Sequence, residues 1–318
     1  MTGEELLKMT DDLETYLEGY DELFGRRENR EHFRRFARGQ LGPIERKSLE
    51  PIADAEGVPP RTLQFFFSRY AWDEEGVRDS LQRKVAASYG DDDGIFIIDE
   101  TSDAKKGTHT AGVSRQYCGE TGKIDNCIVT VHLAYAHGNF HGLIDGELFV
   151  PECWNPDPKN PAVTEKRRKA GIPDDVLHES KPAMALRQLR RARENGVPGR
   201  WVAADEGYGG KPWWRREVDA MHLWYVVEVP RSTHGWTKKP RMKIPAYSGR
   251  GRRFTKARPS TKALSVAALT RGGLRRRPWK RFRVHDTQKG PEVWEFKTTS
   301  FSEQSDGCLL YTSPSPRD

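Results

Sequence analysis

Two strand-like hydrophobic runs in this sequence each end in an aspartate that a glutamate follows. Residues 95–98 (IFII) lead into Asp99, and residues 200–204 (RWVAA) lead into Asp205. Open α/β sheets place their functional sites at the carboxyl ends of their strands. If the two runs form neighbouring strands, the aspartates lie side by side at one sheet edge, although 106 positions separate them in the chain.

Two carboxylates held this close repel each other, and their pKa values rise unless a cation lies between them. Mg²⁺ or Mn²⁺ is the expected cation, because these ions prefer oxygen ligands and need few protein carboxylates beside water and substrate phosphates. Two such ions roughly 4 Å apart support phosphodiester cleavage by activating water and stabilising the leaving oxygen. Asp99 and Asp205 therefore predict the metal-dependent catalytic site of a nuclease.

Two alternative interpretations of these aspartates stay open. An aspartate at the end of a strand is also a common cap of the turn that follows. A pair of carboxylates also suits a glycosidase-like acid and base, but that chemistry gives no reason for the strongly basic segment described below.

The segments between the two aspartates predict a mixed α/β core that positions them. Residues 109–119 and 123–138 alternate in polarity like antiparallel strands, and residues 142–154 resemble another strand. A helix is predicted from Pro182 to Asn195, before the second apolar run. Both apolar runs are expected to be central, adjacent and buried on both faces.

The N-terminal part of the chain predicts helices. Residues 4–40 carry a stripe of leucines and aromatic residues at helical spacing. A helix is predicted over residues 44–55, a second after Pro59-Pro60, and a third over residues 74–87. The first two suit a helix-turn-helix, although any αα-hairpin has the same pattern. The residues available to a DNA groove would be Arg61, Gln64 and Arg69.

The net charge of +7 is very unevenly distributed. Residues 231–283 contain 18 Lys and Arg and no Asp or Glu, which leaves the remainder of the chain at −11. Such a segment suits a polyanion, because each neutralised phosphate releases counterions. Its interleaved aromatic residues favour a folded β-rich insertion that binds DNA over a disordered basic linker. The candidate DNA contacts are Arg250, Arg252, Arg253, Arg275, Arg276 and Arg277.

Other features narrow the class of protein. Lys105 and Lys106, just after the first aspartate, could approach a phosphate or form a solvated turn. Only 36% of residues are apolar and the mean hydropathy is −0.80, with no run near the roughly 20 residues of a membrane span. The four cysteines lack CxxC spacing and are expected to be free thiols in a reducing cytoplasm.

Several sequence blocks, in order from about residue 20 to about residue 304, resemble the DDE-type transposases of bacterial insertion sequences, which have an RNase H-like core. The blocks that carry the resemblance include ERKSLEPIA, LQFFFSRYAWDEEGVRD, IIDETSDAKKGTHTAGVSRQYCGETGKIDNC, LFVPECW, VAADEGYG and DTQKGPEVWEFKT. The resemblance implies a nuclease that cuts element ends and joins the freed 3′-hydroxyl to target DNA with Mg²⁺ or Mn²⁺. Asp99 matches the first catalytic acid of the family, and Asp205 matches the second. The implied partners are the terminal inverted repeats and target DNA, with a homodimer in the active complex, at the bacterial nucleoid and without a membrane.

The sequence departs from the family at the third acid, a glutamate on a helix. Glu292 and Glu295 lie in a strand-like stretch before that position, and residues 305–318 resemble unrelated read-through sequence. The chain is therefore expected to be truncated, with metal binding weakened and one face of the sheet uncovered.

The predicted fold class is α/β (α+β), an RNase H-like mixed sheet with a helical N-terminal domain and a basic β-rich insertion. The predicted divisions are a helical DNA-binding segment (1–89), the first part of the catalytic core (90–229), the insertion (230–288), a return to the core (289–304) and a non-native tail (305–318). The predicted function is that of a DNA transposase fragment. The alternative is a catalytically inactive DNA-binding remnant.

Overall fold

A computed structural model of the protein describes residues 3–238, 240–272, 278–287, 290–303 and 308–314. The candidate DNA contacts Arg275, Arg276 and Arg277 lie outside the described residues. The chain divides into two compact units. Unit one contains Met1–Gly94, His132–Glu147 and Arg187–Gly199, and unit two contains Ile95–Val131, Leu148–Leu186 and Arg200–Asp318. The domain boundaries expected from the sequence stay a prediction.

Unit one begins with five helices, as the N-terminal pattern predicts. They are α1 (Gly3–Glu18), α2 (Arg27–Leu41), α3 (Leu49–Ala55), α4 (Pro60–Ser68) and α5 (Glu74–Tyr89). Pro60 is the first residue of α4, where its missing N–H costs nothing. The Asp73 carboxylate begins α5 by accepting a 2.8 Å hydrogen bond from the Gly76 amide.

The helix predicted over residues 44–55 begins later than expected, at Leu49. The Lys47 ammonium donates hydrogen bonds to the carbonyl oxygens of Gly39 and Gly42 at the end of α2. This capping interaction holds the chain in a turn before α3, so that part of the prediction was wrong. The α3–α4 pair packs around buried Ile52 and Leu63, and its role as a DNA-binding motif stays a prediction.

The central elements follow α5 and build a mixed sheet with flanking helices. They are β1 (Ile95–Ala104), β2 (Ser114–Cys118), β3 (Lys123–His137), β4 (Phe140–Leu148), α6 (Pro161–Ala170), α7 (Lys181–Glu194), β5 (Trp201–Ala204), α8 (Glu206–Gly209), α9 (Pro212–Ala220) and β6 (Trp224–Val227). The strand order is β2-β3-β1-β5-β6, and β4 pairs with β3. Strands β1, β5 and β6 are parallel, whereas β2 and β3 are antiparallel. The predicted RNase H-like α+β fold is confirmed.

The two apolar strands are neighbours, as predicted, but they are not buried on both faces. Phe96 and Ile98 are at most 2% exposed, whereas Ile95 and Ile97 are each 38% exposed. Successive side chains of a strand point to opposite faces. One face of β1 is therefore packed, and its other face is open in the part of the chain that the structure describes.

A buried carboxylate joins three elements of unit one. The side chain of Asp145 on β4 is fully buried. Its two oxygens lie 3.6 Å from the guanidinium nitrogens of Arg78 on α5 and Arg191 on α7. The Gln82 amide also donates to Asp145, at 3.2 Å. Burial raises the pKa of Asp145 above its usual value, although the two arginines act in the opposite direction.

The basic region of unit two forms short strands and one helix, followed by longer strands. The elements are β7 (His234–Trp236), β8 (Met242–Lys243), β9 (Arg258–Pro259), β10 (Leu264–Ser265), α10 (Val266–Gly272), β11 (Lys280–Thr287), β12 (Gly290–Glu303) and β13 (Cys308–Pro314). Strands β10, β7, β12 and β11 form a second sheet, and β13 pairs with β12. The strands confirm the β-rich insertion and disfavour a disordered linker. Glu292 and Glu295 lie on a strand, as predicted.

Two further expectations concern membrane-spanning helices and cysteines. Among the described helices, none combines the length and the hydrophobicity that crossing a membrane requires. Cys118, Cys127 and Cys153 are free thiols, as expected. Burial raises the pKa of the Cys127 thiol to about 11, so it stays protonated and unreactive near neutral pH.

Candidate active site

The two predicted catalytic aspartates meet at one edge of the central sheet. Strand β1 pairs with β5 in parallel, and the register ends at Ile98 opposite Ala204. Asp99 is the residue after Ile98, and Asp205 is the residue after Ala204. Neighbouring strands lie about 4.8 Å apart, so the two backbones are about one strand spacing apart at this point. Both side chains are exposed.

Each aspartate uses one oxygen for a local hydrogen bond. Asp99 Oδ1 accepts from the Glu100 amide at 2.7 Å, and Asp205 Oδ1 accepts from the Gly207 amide at 2.9 Å. Asp205 thereby caps α8, as the alternative interpretation of the sequence expected. Asp205 follows β5 directly, whereas Asp99 lies within β1, which continues to Ala104, so the prediction that both strands end at their aspartates was wrong for β1. In the described part of the chain, no side-chain cation pairs with either aspartate.

Glu100 points away from the aspartates, because consecutive residues of a strand alternate between faces. Its Oε1 accepts a 3.1 Å hydrogen bond from the Tyr208 hydroxyl. Its Oε2 forms an ion pair with Lys181 Nζ at 2.5 Å. The Lys181 ammonium also lies 5.2 Å from the centre of the Phe149 ring. Glu100 is thus held from two sides on the face opposite Asp99.

Tyr208 is 1% exposed, and its ring packs near Trp214 with 5.9 Å between the ring centres. Burial raises the pKa of Tyr208, and the charge of Glu100 raises it further. The hydroxyl therefore remains protonated across the physiological range and donates to Glu100. The nearby charges of Asp205 and Asp99 act in the same direction.

The face that carries the aspartates continues as an open apolar surface. Ile97 aligns with Ala203, which aligns with Val226 on β6, and Val226 is 62% exposed. Trp224, two residues earlier on β6, is 57% exposed. The expectation that the chain is truncated and thereby leaves one face of the sheet uncovered stays a prediction.

The loop after β1 distinguishes the two candidate lysines. Lys105 forms an ion pair with Asp103. Lys106 is exposed and has no ion pair in the ranges that the structure describes. The Asn126 side chain holds the loop by donating to the carbonyl oxygens of Lys105 at 2.6 Å and Gly107 at 2.9 Å. Lys106 is therefore the lysine available to a ligand.

The DNA contacts predicted in the N-terminal helices have exposed side chains. Arg61, Gln64 and Arg69 are exposed on or just after α4. The guanidinium carbons of Arg61 and Arg69 lie 5.0 and 4.4 Å from the centre of the Phe65 ring. Both arginines therefore rest on one aromatic side chain.

Of the candidate DNA contacts in the basic insertion, the three that the structure describes lie in one exposed loop, at positions 250, 252 and 253. Arg253 lies 5.0 Å from the centre of the Tyr247 ring. The neighbouring Arg258 lies 4.2 Å from the centre of the Phe254 ring. The interleaved aromatic residues of this segment therefore support its arginines from one side.

The sequence interpretation did not assign roles to Glu100, Lys181 or Tyr208. The only sequence signal was the repetition of glutamate after each aspartate. The contacts of Glu100 span 81 positions to Lys181 and 108 positions to Tyr208. Neither spacing has a local pattern, so the structure was needed to find these residues.

The carboxylates of Asp99 and Asp205 fit a hard divalent cation. Their Oδ2 atoms have no hydrogen-bond partner in the part of the chain that the structure describes. Mg²⁺ binds through one or two protein carboxylates, and water and substrate phosphates complete its coordination. Within the described ranges, no group of three or more His, Cys, Asp or Glu could hold a metal.

Two comparisons with known proteins agree with this geometry. The family described as "DDE superfamily endonuclease" matches residues 20–291, a range that contains both aspartates. The chain is also 31% identical over 235 residues to "Probable transposase for insertion sequence element IS701" from Microchaete diplosiphon. This alignment covers 73% of the chain and 57% of the relative. The chain thus spans less than two thirds of the length of the relative it matches.

Proposed function

The chain belongs to the DDE superfamily endonuclease family, and on this basis we propose that it is a DNA transposase that cleaves and joins strands at the ends of an insertion sequence. The observation that carries the proposal is that Asp99 and Asp205 directly follow Ile98 and Ala204, the last paired residues of the parallel strands β1 and β5. The name of the relative supports insertion-sequence ends as the substrate.

In this proposal, Asp99 and Asp205 hold Mg²⁺ or Mn²⁺ through the oxygens that their local hydrogen bonds leave free. When bound, such a cation would supply positive charge beside the phosphate that is cleaved. The local hydrogen bonds restrict the orientation of each carboxylate, so the side chains would need little reorganisation when a cation binds. A scissile phosphate would then bind where the pairing of β1 with β5 ends.

We further propose that a third carboxylate, on a helix that covers the open face, completes the site. The resemblance to DDE transposases implies such a helix. The exposure of Ile97, Trp224 and Val226 supports it, because large apolar side chains at neighbouring positions of a sheet usually pack against another element.

The protein would act on the terminal inverted repeats and on target DNA, as a homodimer, at the nucleoid of a bacterial cell. Arg61, Gln64 and Arg69 would contact DNA from α4, and the arginines of the basic insertion would contact phosphates. The cation–π contacts of Arg61 and Arg253 support these roles, because an arginine stacked on an aromatic ring is held in an extended position at the surface.

A second candidate function is that of an inactive remnant that binds element ends without cutting them. The observation that favours it is the two-carboxylate site, which lacks a third acid in the described residues. Incubating the full chain with a supercoiled plasmid that carries the element ends separates the two functions. Nicking that requires Mg²⁺ and stops with a chelator supports the transposase, whereas salt-sensitive binding without nicking supports the remnant.

Lys106 and Lys105 provide a matched test of DNA contact near the site. Replacing Lys106 with alanine is expected to reduce the slope of log K against log salt by about 1, as expected for one lost phosphate contact. Lys105→Ala should change the slope less, because Asp103 already neutralises Lys105. Fluorescence anisotropy with a labelled duplex at several salt concentrations gives both slopes. Equal slopes for Lys106→Ala and the unchanged protein would show that this loop does not contact DNA.

A further inference from the structure

We propose that Glu100, Tyr208 and Lys181 form a positioning cluster that sets the separation of Asp99 and Asp205. The inference rests on the proposed function, in which the two aspartates hold a divalent cation. None of the three residues is assigned to contact the metal or the substrate. Their role is to fix the backbone segments from which the two carboxylates project.

The first link in this cluster joins β1 to the short helix that follows β5. Tyr208 lies three residues after Asp205, inside the short helix α8 that Asp205 caps. Its hydroxyl donates to Glu100, the residue directly after Asp99. The 3.1 Å bond therefore connects β1 to the helical turn after β5, on the face opposite Asp99. A change in strand separation would break this bond.

The second link joins β1 to α7. Lys181 is the first residue of α7, and its ion pair with Glu100 is partly shielded, with side-chain exposures of 22% and 30%. The aromatic face of Phe149, whose centre lies 5.2 Å from the ammonium, restricts the position of Lys181 further. Glu100 is thus held by one neutral donor and one cation from two different elements.

A third observation shows that α8 itself has little freedom to move. A Cβ atom at Gly209 would lie 2.1 Å from the Glu228 carbonyl oxygen and 2.7 Å from Val227 Cβ. Only glycine permits this approach of α8 to the end of β6. Tyr208, which precedes Gly209, is therefore presented to Glu100 from a fixed backbone.

Residues that orient metal ligands without touching the metal typically contribute 10–100-fold to metal affinity. The cluster meets that description, because strand alternation directs Glu100 away from the face that carries Asp99. A purely structural role would change stability without changing metal affinity in the folded protein. A positioning role changes the affinity while the number of bound ions at saturation stays the same.

The test measures Mn²⁺ binding to the full chain. The electron paramagnetic resonance signal of free Mn²⁺ reports how much of the ion stays unbound. Tyr208→Phe removes only the hydroxyl, and Glu100→Gln removes the charge that pairs with Lys181. Each is expected to weaken Mn²⁺ binding by about 10-fold or more with unchanged stoichiometry. Tyr117→Phe is the matched control, because Tyr117 is 64% exposed on β2 and should leave the affinity unchanged. If Tyr208→Phe does not fold, Lys181→Met gives the same test, with Lys181→Arg expected to retain affinity.

The outcomes separate this inference from the proposed function. If the unchanged protein and Asp99→Asn bind Mn²⁺ equally, the metal site itself is wrong. If Asp99→Asn loses binding while Tyr208→Phe, Glu100→Gln and Lys181→Met all bind as tightly as the unchanged protein, the positioning cluster is overturned. Weaker Mn²⁺ binding by these variants, together with lost Mn²⁺ binding in Asp99→Asn, supports both the metal site and the positioning cluster.

Discussion

Replacing Asp99 with asparagine should reduce Mg²⁺-dependent nicking of element-end DNA by at least about 1000-fold. A bound cation contributes several kcal/mol of charge stabilisation in phosphoryl transfer, and each 1.4 kcal/mol is a factor of about ten in rate. Asparagine has nearly the size of aspartate and keeps an oxygen that can accept from the Glu100 amide. The loss would therefore report the missing negative charge and not a disturbed strand.

Asp205→Asn should have a similar effect for the same reason. Asparagine is as good a helix cap as aspartate, so the bond to the Gly207 amide and the start of α8 should survive. Any loss of nicking then reports the metal site. DNA binding should be unchanged or tighter, because the substitution removes a negative charge from a surface that meets phosphate.

Glu206→Gln is the control for these variants. Glu206 follows Asp205 directly and is exposed, and it carries the same charge without a proposed role. It should nick DNA at a rate close to that of the unchanged protein. Nicking by Asp99→Asn within tenfold of the unchanged rate would contradict the assignment. Loss of Mn²⁺ binding in Asp99→Asn provides a second measurement that does not depend on how fast the chain cleaves DNA.

The sequence was sufficient to place the two aspartates, because strong local signals define the elements that carry them. Apolar runs predicted β1 and β5, and their parallel pairing follows from the mixed α/β pattern between them. The charge segregation likewise located the basic insertion. These predictions depended on composition and periodicity over short windows, which local physics determines.

The burial of the two strands was predicted wrongly, because a run of apolar residues does not reveal whether one or both faces of a strand are covered. Ile95 and Ile97 have the same residue type as buried Ile98 but are exposed. Only the presence or absence of a packed element on each face decides this. The start of α3 was missed for a related reason, because the Lys47 side chain caps the preceding helix from outside the helical pattern.

The residues around Glu100 show a different limit. A carboxylate after a strand has many possible partners in the sequence, including every basic residue of a strongly charged chain. Its actual partners depend on where α7 and α8 begin relative to β1. Those positions follow from the packing of the whole sheet, so pairwise contacts such as Glu100–Lys181 appear only in three dimensions.

Replacing Asp145 with alanine should lower the free energy of unfolding of unit one by about 3 kcal/mol, the cost of removing one partner from a buried charge pair. The substitution leaves the guanidinium groups of Arg78 and Arg191 facing each other. Glu147 remains 3.6 Å from Arg78 and 3.7 Å from Arg191, which keeps the loss at the lower end of the range. Amide hydrogen exchange in β4 and α5 measures this change locally.

Asp92→Ala provides the control for a carboxylate in the same unit that is exposed. Its effect on exchange should stay within about 0.5 kcal/mol, as for most surface substitutions. An equal effect of the two substitutions would contradict the importance of the buried network. If neither substitution changes the hydrogen exchange, Arg78 and Arg191 lose no stabilisation when Asp145 is absent, because water or Glu147 replaces it as their partner.

The pH dependence of the unfolding free energy shows whether burial or the two arginines dominate the pKa of Asp145. Burial raises its pKa in the folded protein above the usual 3.8, so the folded state binds a proton more tightly than the unfolded state does. The stabilisation from this proton is complete below pH 3.8 and is lost as pH rises through the folded pKa. The difference in unfolding free energy between the unchanged protein and Asp145→Asn should therefore fall over that interval and then level off. A difference that rises with pH would mean that the two arginines outweigh burial, and the network would then stabilise the ionised carboxylate.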